Sequence, residues 1–155
     1  MIRFGLFRIG GFGFAVTLEQ IKKILQNSTD YSLPHLPGAV AAVLVDGGEL
    51  VPLLDLSLLA GAESQLSNIT QGYRVLVKSE YGIVALPADL SGKIVAEEKC
   101  ELSATNEQKM NFGIIGKFIY QSEEYSLLDI NFLALEMTQD IWQNQFDTGG
   151  ARRHK

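Results

Sequence analysis

The chain has 155 residues, and its 13 Lys and Arg against 18 Asp and Glu give a net charge of -5 at pH 7. This length predicts a single domain, and the negative charge disfavours nucleic acid as a partner, because phosphate binding needs a basic face. Cys100 is the single cysteine, which excludes an internal disulfide and indicates a reducing compartment. The sequence contains no apolar run of the roughly 18 residues that a membrane helix requires. We therefore expect a cytoplasmic protein without direct membrane insertion.

Apolar runs separated by short turns predict a chain made mainly of β-strands. The strongest signal is Asp46-Gly47-Gly48 between Val40–Val45 and Leu50–Leu54, because an Asp-Gly turn supplies the positive φ angles of a tight hairpin. Further strands are predicted at Arg3–Ile9 with Phe12–Val16, at Tyr73–Lys78 with Tyr81–Leu86, at Lys93–Val95, and at Phe112–Tyr120 with Glu124–Leu128. Short strands at regular spacing are typical of small barrels.

Two amphipathic helices are predicted between and after these strands. Thr17-Leu18-Glu19-Gln20 fits a capping box that opens a short helix, which ends at 27–30. Its apolar face would consist of Leu18, Ile21, Ile24 and Leu25. A longer helix near the C-terminus would bury Ile130, Leu133, Ala134, Met137, Ile141 and Trp142.

One phrase of the sequence occurs twice. The segment 53–60, Leu-Leu-Asp-Leu-Ser-Leu-Leu-Ala, returns 74 positions later at 127–134 as Leu-Leu-Asp-Ile-Asn-Phe-Leu-Ala. In both copies a strand turns at an aspartate, Asp55 or Asp129, which we expect to cap a short apolar helix. The repeat predicts two similar half-modules, and chance similarity in a Leu-rich chain is the alternative.

The sequence offers no constellation for catalysis or for a cofactor. The two histidines, His35 and His154, lie far from any matching set of metal ligands. Gly10-Gly11-Phe12-Gly13 joins strand to strand, whereas a phosphate-binding loop runs from a strand into a helix. Because no nucleophile is paired with a base, we expect neither enzymatic activity nor a bound cofactor.

These residues together resemble the CheW-like domain of bacterial chemosensory systems, over nearly the whole chain. The best match runs from Leu33-Pro34 to Gly61 and contains the string 48–56, Gly-Glu-Leu-Val-Pro-Leu-Leu-Asp-Leu. The family's later strands and closing helix resemble Arg74–Val77, Gly82–Leu86 and Tyr125–Ile130. The order and spacing of these motifs carry the resemblance.

The resemblance implies a mainly β fold of two intertwined, five-stranded, SH3-like barrels with a shared apolar core. We expect 1–146 to form one domain made of two barrel subdomains. The basic residues after Gly149-Gly150 indicate that 147–155 is a flexible tail. Two departures from the family pattern stand out. The family's usual Arg before the turn glycine falls on Gly47, and its usual Gly in the preceding strand falls on Ala42. Since that Arg is associated with coupling, its loss bears on function and leaves the fold unaffected.

The function implied by the resemblance is that of an adaptor between two proteins. Family members join the cytoplasmic helical tip of a chemoreceptor to the regulatory domain of a CheA-type histidine kinase. We expect the receptor to bind a first patch and the kinase a second. The first patch comprises Lys23, Ile24 and Asn27 with the turn Asp46, Gly47 and Gly48; the second comprises Asp89, Leu90 and Ser91.

Other functions remain open at this point. The chain could be a divergent CheW-like scaffold in a chemosensory pathway that controls pili, gliding or gene expression, which the glycine at position 47 favours. A small-molecule-binding barrel with a pocket between the half-modules is a further alternative. The apolar residues Ile21, Ile24 and Leu25 of the first patch could equally well cover their own barrel.

Overall fold

The computed structural model describes residues 2–32, 39–56, 59, 72–89, 92–102 and 113–138. Eleven strands lie in these residues: β1 Arg3–Ile9, β2 Phe12–Thr17, β3 Ile21–Gln26, β4 Val40–Asp46, β5 Glu49–Leu54, β6 Tyr73–Ser79, β7 Gly82–Ala88, β8 Lys93–Ala96, β9 Glu101–Leu102, β10 Ile114–Tyr120 and β11 Glu123–Leu128. A helix, α1, covers 130–138. Much of the segment from Leu33 that matches the family and the predicted tail at 147–155 lie outside the described residues. No helix in the described part of the chain has the length and apolar character needed to cross a membrane.

Four hairpins with two-residue turns form the framework. Within the described residues the predicted strands are confirmed, with ends that differ by one or two residues. The closing pairs are Ile9–Phe12, Asp46–Glu49, Ser79–Gly82 and Tyr120–Glu123. Such short connections require backbone that bends in the sense of the strand twist, which usually means positive φ angles in the turn. The hairpin predicted at Asp46-Gly47-Gly48 forms there, with Asp46 at the end of β4 and with φ angles of 59° and 83° at the turn residues Gly47 and Gly48.

The strands form two sheets, and each sheet is closed on itself. The order of the first is β8-β1-β2-β11-β10-β9, and that of the second is β3-β6-β7-β5-β4. In the first sheet the edge strands β8 and β9 are one stretch of chain interrupted by a 3-10 turn at Glu97–Lys99, so the sheet counts five strands as expected. In the second, Tyr31 follows β3 and bridges to Val43 of β4 through N–O distances of 2.7 and 2.8 Å.

One barrel is inserted into the other along the chain. Barrel B, the second sheet, uses only the continuous segment 21–88. Barrel A, the first sheet, takes β1 and β2 from before this segment and β8 to β11 from after it. The expected intertwining therefore arises because barrel B interrupts barrel A between β2 and β8.

The predicted helix over Leu18–Leu25 is wrong. Only Leu18–Gln20 forms a 3-10 turn, and Ile21–Gln26 is strand β3, paired with β6. The pairing slips between Ile21 and Lys23, and this β-bulge changes the phase of the side-chain alternation. The apolar residues consequently recur at the spacing of a helix although the backbone is extended. Thr17 stands at the predicted N-cap, but its hydroxyl bonds the Gln20 side chain at 2.9 Å and not a backbone N–H.

The internal repeat is a structural repeat, with 74 residues between equivalent positions. Strands β4 and β5 correspond to β10 and β11, and each first strand carries a bulge at the same place, between Val40 and Ala42 or between Ile114 and Gly116. The Asp55 amide donates to the Ala39 carbonyl at 2.9 Å, as that of Asp129 does to Gly113 at 2.8 Å. The two copies of the repeated phrase therefore begin at the same place in each half of the fold.

Helix α1 begins at the second aspartate and seals the space between the barrels. The Asp129 carboxylate accepts the Phe132 N–H at 3.1 Å, which is the predicted capping role. The shared core combines residues of both barrels with the buried face of α1: Phe7, Phe14, Val16, Val40, Leu54, Leu56, Leu59, Val75, Val77, Val84, Leu86, Ala88, Ile114, Leu128, Ile130, Leu133, Ala134 and Met137. Smaller separate clusters fill the barrels themselves. The predicted positions Ile141 and Trp142 lie outside the described residues.

Candidate interaction surfaces

The structure brings the two halves of the first patch together where the edge strands β3 and β4 of barrel B meet, which we call the seam. Lys23 and Ile24 lie on edge strand β3, and Asp46 ends the opposite edge strand β4. The Lys23 ammonium is 2.8 Å and the Lys22 ammonium 3.1 Å from the Asp46 carboxylate. These ion pairs clasp the seam between β3 and β4, which sequence reasoning did not predict.

The Asp46 carboxylate is the electrostatic centre of this patch. Hydrogen bonds from Lys23 and then from Lys22 hold the pKa of Asp46 below its ordinary value of 3.8. The carboxylate is therefore ionised at physiological pH. Two ammonium groups thus meet one carboxylate at the seam.

Exposed apolar side chains flank the clasp. Ile24 is 41% exposed, and Val45 and Leu50, which are paired directly across β4 and β5, are 50% and 67% exposed. Sequence analysis missed Val45 and Leu50 as surface residues because they belong to continuous apolar runs. The alternation of side chains along a strand could have predicted their exposure. Leu44 and Val51 face the barrel interior, so their neighbours Val45 and Leu50 must point away from it.

The turn itself presents backbone and no side chain. A Cβ atom built on Gly47 or Gly48 would meet no atom within 4 Å, so the turn projects freely. Asn27, the remaining member of the patch, lies just beyond β3 with φ at 57°. Its backbone N–H donates to the Gly72 carbonyl at 3.2 Å. A depression of about 370 Å³ lies between these parts and is lined by Leu25, Gln26, Ser28, Thr29, Tyr31, Val45 and Asp46.

The second patch is described only at Asp89, because Leu90 and Ser91 lie outside the described residues. Asp89 follows β7 and is exposed. Its carboxylate accepts the Gly10 N–H at 2.8 Å, and its own N–H donates to the Arg8 carbonyl at 2.8 Å. Asp89 thus contacts the β1–β2 turn of barrel A.

A second depression, of about 460 Å³, lies beside this turn. Arg8 borders it and bonds the Gly11 carbonyl through Nη2 at 3.0 Å, while its Nη1 is 3.3 Å from Glu123. The guanidinium also lies 5.4 Å from the centre of the Tyr125 ring. Within the described residues, no three His, Cys, Asp and Glu side chains are arranged to hold a metal ion.

Comparison with known proteins identifies the family. The model of the CheW-like domain matches residues 3–134, which is most of the chain, so this protein belongs to the CheW-like domain family. Among solved structures, the fold is similar to the scaffolding protein TtCheW from Thermoanaerobacter tengcongensis, with a TM-score of 0.68 and 12% sequence identity. That match covers 85% of this chain and 91% of the other. The search of curated proteins gave no match.

Proposed function

We propose that this chain is a non-enzymatic cytoplasmic adaptor that joins the helical tip of a chemoreceptor to the regulatory domain of a CheA-type histidine kinase. Membership of the CheW-like family over residues 3–134 is the observation that carries this proposal. The similarity to a scaffolding protein in fold agrees with it. An adaptor needs separate contact surfaces held by a rigid body, and the core shared by both barrels supplies that rigidity.

The seam of barrel B is the proposed contact for the receptor. Ile24, Val45 and Leu50 provide exposed apolar surface, and the Lys22 and Lys23 ammonium groups stand next to them. An amphipathic helix binds by laying its apolar face on such a surface, while its acidic side chains meet the ammonium groups. Signalling would then pass through a bias in the geometry of the assembled proteins and not through covalent chemistry.

The loop of Asp89, Leu90 and Ser91 is the proposed contact for the kinase. It follows β7, where the chain leaves barrel B for barrel A. A kinase domain bound there and a receptor bound at the seam would hold different elements of the fold. The adaptor would thereby fix the position of the kinase relative to the receptor.

A related proposal concerns the pathway. The family's Arg falls on Gly47, and the structure shows a bare turn at this position. A contact made by an arginine there is impossible in this chain. This favours a scaffold in a chemosensory pathway with an output other than swimming, such as pili, gliding or gene regulation.

The first test is calorimetry of the purified chain with the regulatory domain of a CheA-type kinase from its own genome. The adaptor proposal expects a one-to-one complex at low micromolar concentration, on the order of -8 kcal/mol. Binding to no kinase of that genome would refute the kinase part of the proposal. The same titration with a soluble receptor fragment that contains the helical tip tests the other part.

A matched pair of variants tests the location of the receptor contact. Ile24→Glu places a charge on the seam, and Ile115→Glu places the same charge on an isoleucine of barrel A that is 50% exposed. We expect Ile24→Glu to weaken receptor binding at least about tenfold, as for a central interface residue. Ile115→Glu should leave it unchanged. Equal effects of the two variants would place the contact elsewhere.

A further inference from the structure

The β1–β2 turn is held from outside by a residue of the other barrel. Asp89 makes two hydrogen bonds to this hairpin. Its backbone N–H donates to the Arg8 carbonyl at 2.8 Å, and its carboxylate accepts the Gly10 N–H at 2.8 Å. Nearly eighty residues separate the two elements along the chain. The contact therefore joins the exit of barrel B to the tip of a hairpin of barrel A.

The turn has no side chains with which to hold itself. Gly10 and Gly11 form it, Gly10 has φ at 59°, and a Cβ atom on either residue would meet nothing within 4 Å. A glycine pair loses more conformational entropy on ordering than any other pair, so polar contacts help to order this turn. Asp89 provides those at Arg8 and Gly10, and the Arg8 guanidinium provides the one at Gly11.

The equivalent turn of barrel B is held in the same manner. The β6–β7 hairpin lies beside β5 as the β1–β2 hairpin lies beside β11, so residue 80 of its turn corresponds to residue 10. The Glu80 N–H is accepted by the Asn131 side chain of α1 at 2.8 Å. In both halves of the repeat, a side chain from a distant element accepts the same turn amide. The acceptor in this second instance is neutral, so an uncharged oxygen can make this contact.

We propose that Asp89 acts as a latch that orders the β1–β2 turn, and that it serves the second patch by positioning this turn rather than by presenting its charge to a partner. The inference rests on the proposed kinase contact at that patch. The turn forms one wall of the depression beside Arg8, so the latch also shapes that surface. The carboxylate oxygen, and not its negative charge, is what the contact requires.

Amide hydrogen exchange of the full chain, measured by NMR, tests the latch directly. Asp89→Ala removes the acceptor, and we expect the Gly10 amide to exchange up to about tenfold faster, as for the loss of one hydrogen bond. Asp89→Asn keeps an acceptor oxygen and should leave exchange close to wild type. The Glu80 amide, held by Asn131, is the internal control and should not change. Unchanged exchange in Asp89→Ala, or equal exchange in both variants, would overturn the proposal.

Binding of the kinase regulatory domain by the same variants gives the functional readout. The latch predicts several-fold weaker binding for Asp89→Ala, with Asp89→Asn restoring it. Glu98→Ala, which removes the same charge from an exposed position, should bind as wild type. Equal weakening by Asp89→Ala and Asp89→Asn would show that the charge itself contacts the kinase. If the wild-type chain binds no kinase, the adaptor proposal fails, while the exchange rates still decide the latch.

Discussion

The β10–β11 turn stores backbone strain that a change of sequence should relieve. Gln121 and Ser122 have φ angles of 51° and 68°, and they occupy the places of Gly47 and Gly48 in the first half of the repeat. A residue with a Cβ atom in this left-handed region costs roughly 1–2 kcal/mol, whereas glycine adopts it freely. Replacing both residues by glycine removes that cost. It also lowers stability by about 0.4–1 kcal/mol at each position, because glycine raises the entropy of the unfolded chain.

The net expectation for the double variant Gln121→Gly/Ser122→Gly is a gain of about 1–2 kcal/mol in the free energy of unfolding. This corresponds to a rise of about 2–8 °C in melting temperature for a chain of this size. Urea unfolding followed by far-ultraviolet circular dichroism measures the gain as a higher midpoint at unchanged slope.

The reciprocal variant Gly47→Gln/Gly48→Ser provides the control. A Cβ atom at either glycine meets nothing within 4 Å, so its cost arises from the backbone alone. It should lose about the amount that the first variant gains. The quadruple variant has the composition of the wild type and should have nearly its stability. A first variant that is no more stable than wild type would refute the reasoning.

Three further outcomes follow from the charges and the thiol. Asp30→Ala leaves the guanidinium of Arg74, which is 2% exposed and 2.7 Å from the Asp30 carboxylate, buried without its partner, and should cost about 3 kcal/mol of unfolding free energy in urea titrations. Because Lys23 and Lys22 lower the pKa of Asp46, the contribution of its carboxylate to stability is complete above pH 3.8 and is lost as the pH falls through the pKa of the folded state. The difference in unfolding free energy between wild type and Asp46→Asn should therefore be constant at neutral pH and shrink only below pH 3.8. Burial, with the nearby Glu97, raises the pKa of Cys100 above 9.0, so alkylation by iodoacetamide at about pH 8 should be slower than for a free thiol and faster in Glu97→Gln.

The hairpins could be predicted because their information is local. Glycines and an Asp-Gly pair mark the turns, and alternation marks the strands beside them. Asp129 and the apolar face of α1 were equally readable, because an N-cap and a 3.6-residue period lie within a few turns of chain. The resemblance to a family supplied the barrels, which no local pattern indicates.

Strand β3 could not be predicted because a bulge at Lys22 converts an extended strand into a helical spacing of apolar residues. The pairing of distant segments also escaped local reasoning. The clasp of Lys22 and Lys23 on Asp46, and the contact of Asp89 with Gly10, join residues that only the closed barrels bring together. Sequence analysis placed Lys23 with Asp46 in one patch on grounds of resemblance, and it assigned Asp89 no partner inside the chain.

The insertion of barrel B into barrel A imposes an order on folding during synthesis. Every strand of barrel B has left the ribosome soon after residue 88, so that barrel can close early. Hairpin β1–β2 is made before barrel B, yet its partner β11 is the last of the described strands to be made. Until then Phe4, Phe7 and Phe14, which end up buried, have no complete core to enter. Barrel A therefore cannot close before its last described strands are made, and until then the apolar side chains of hairpin β1–β2 are exposed to aggregation.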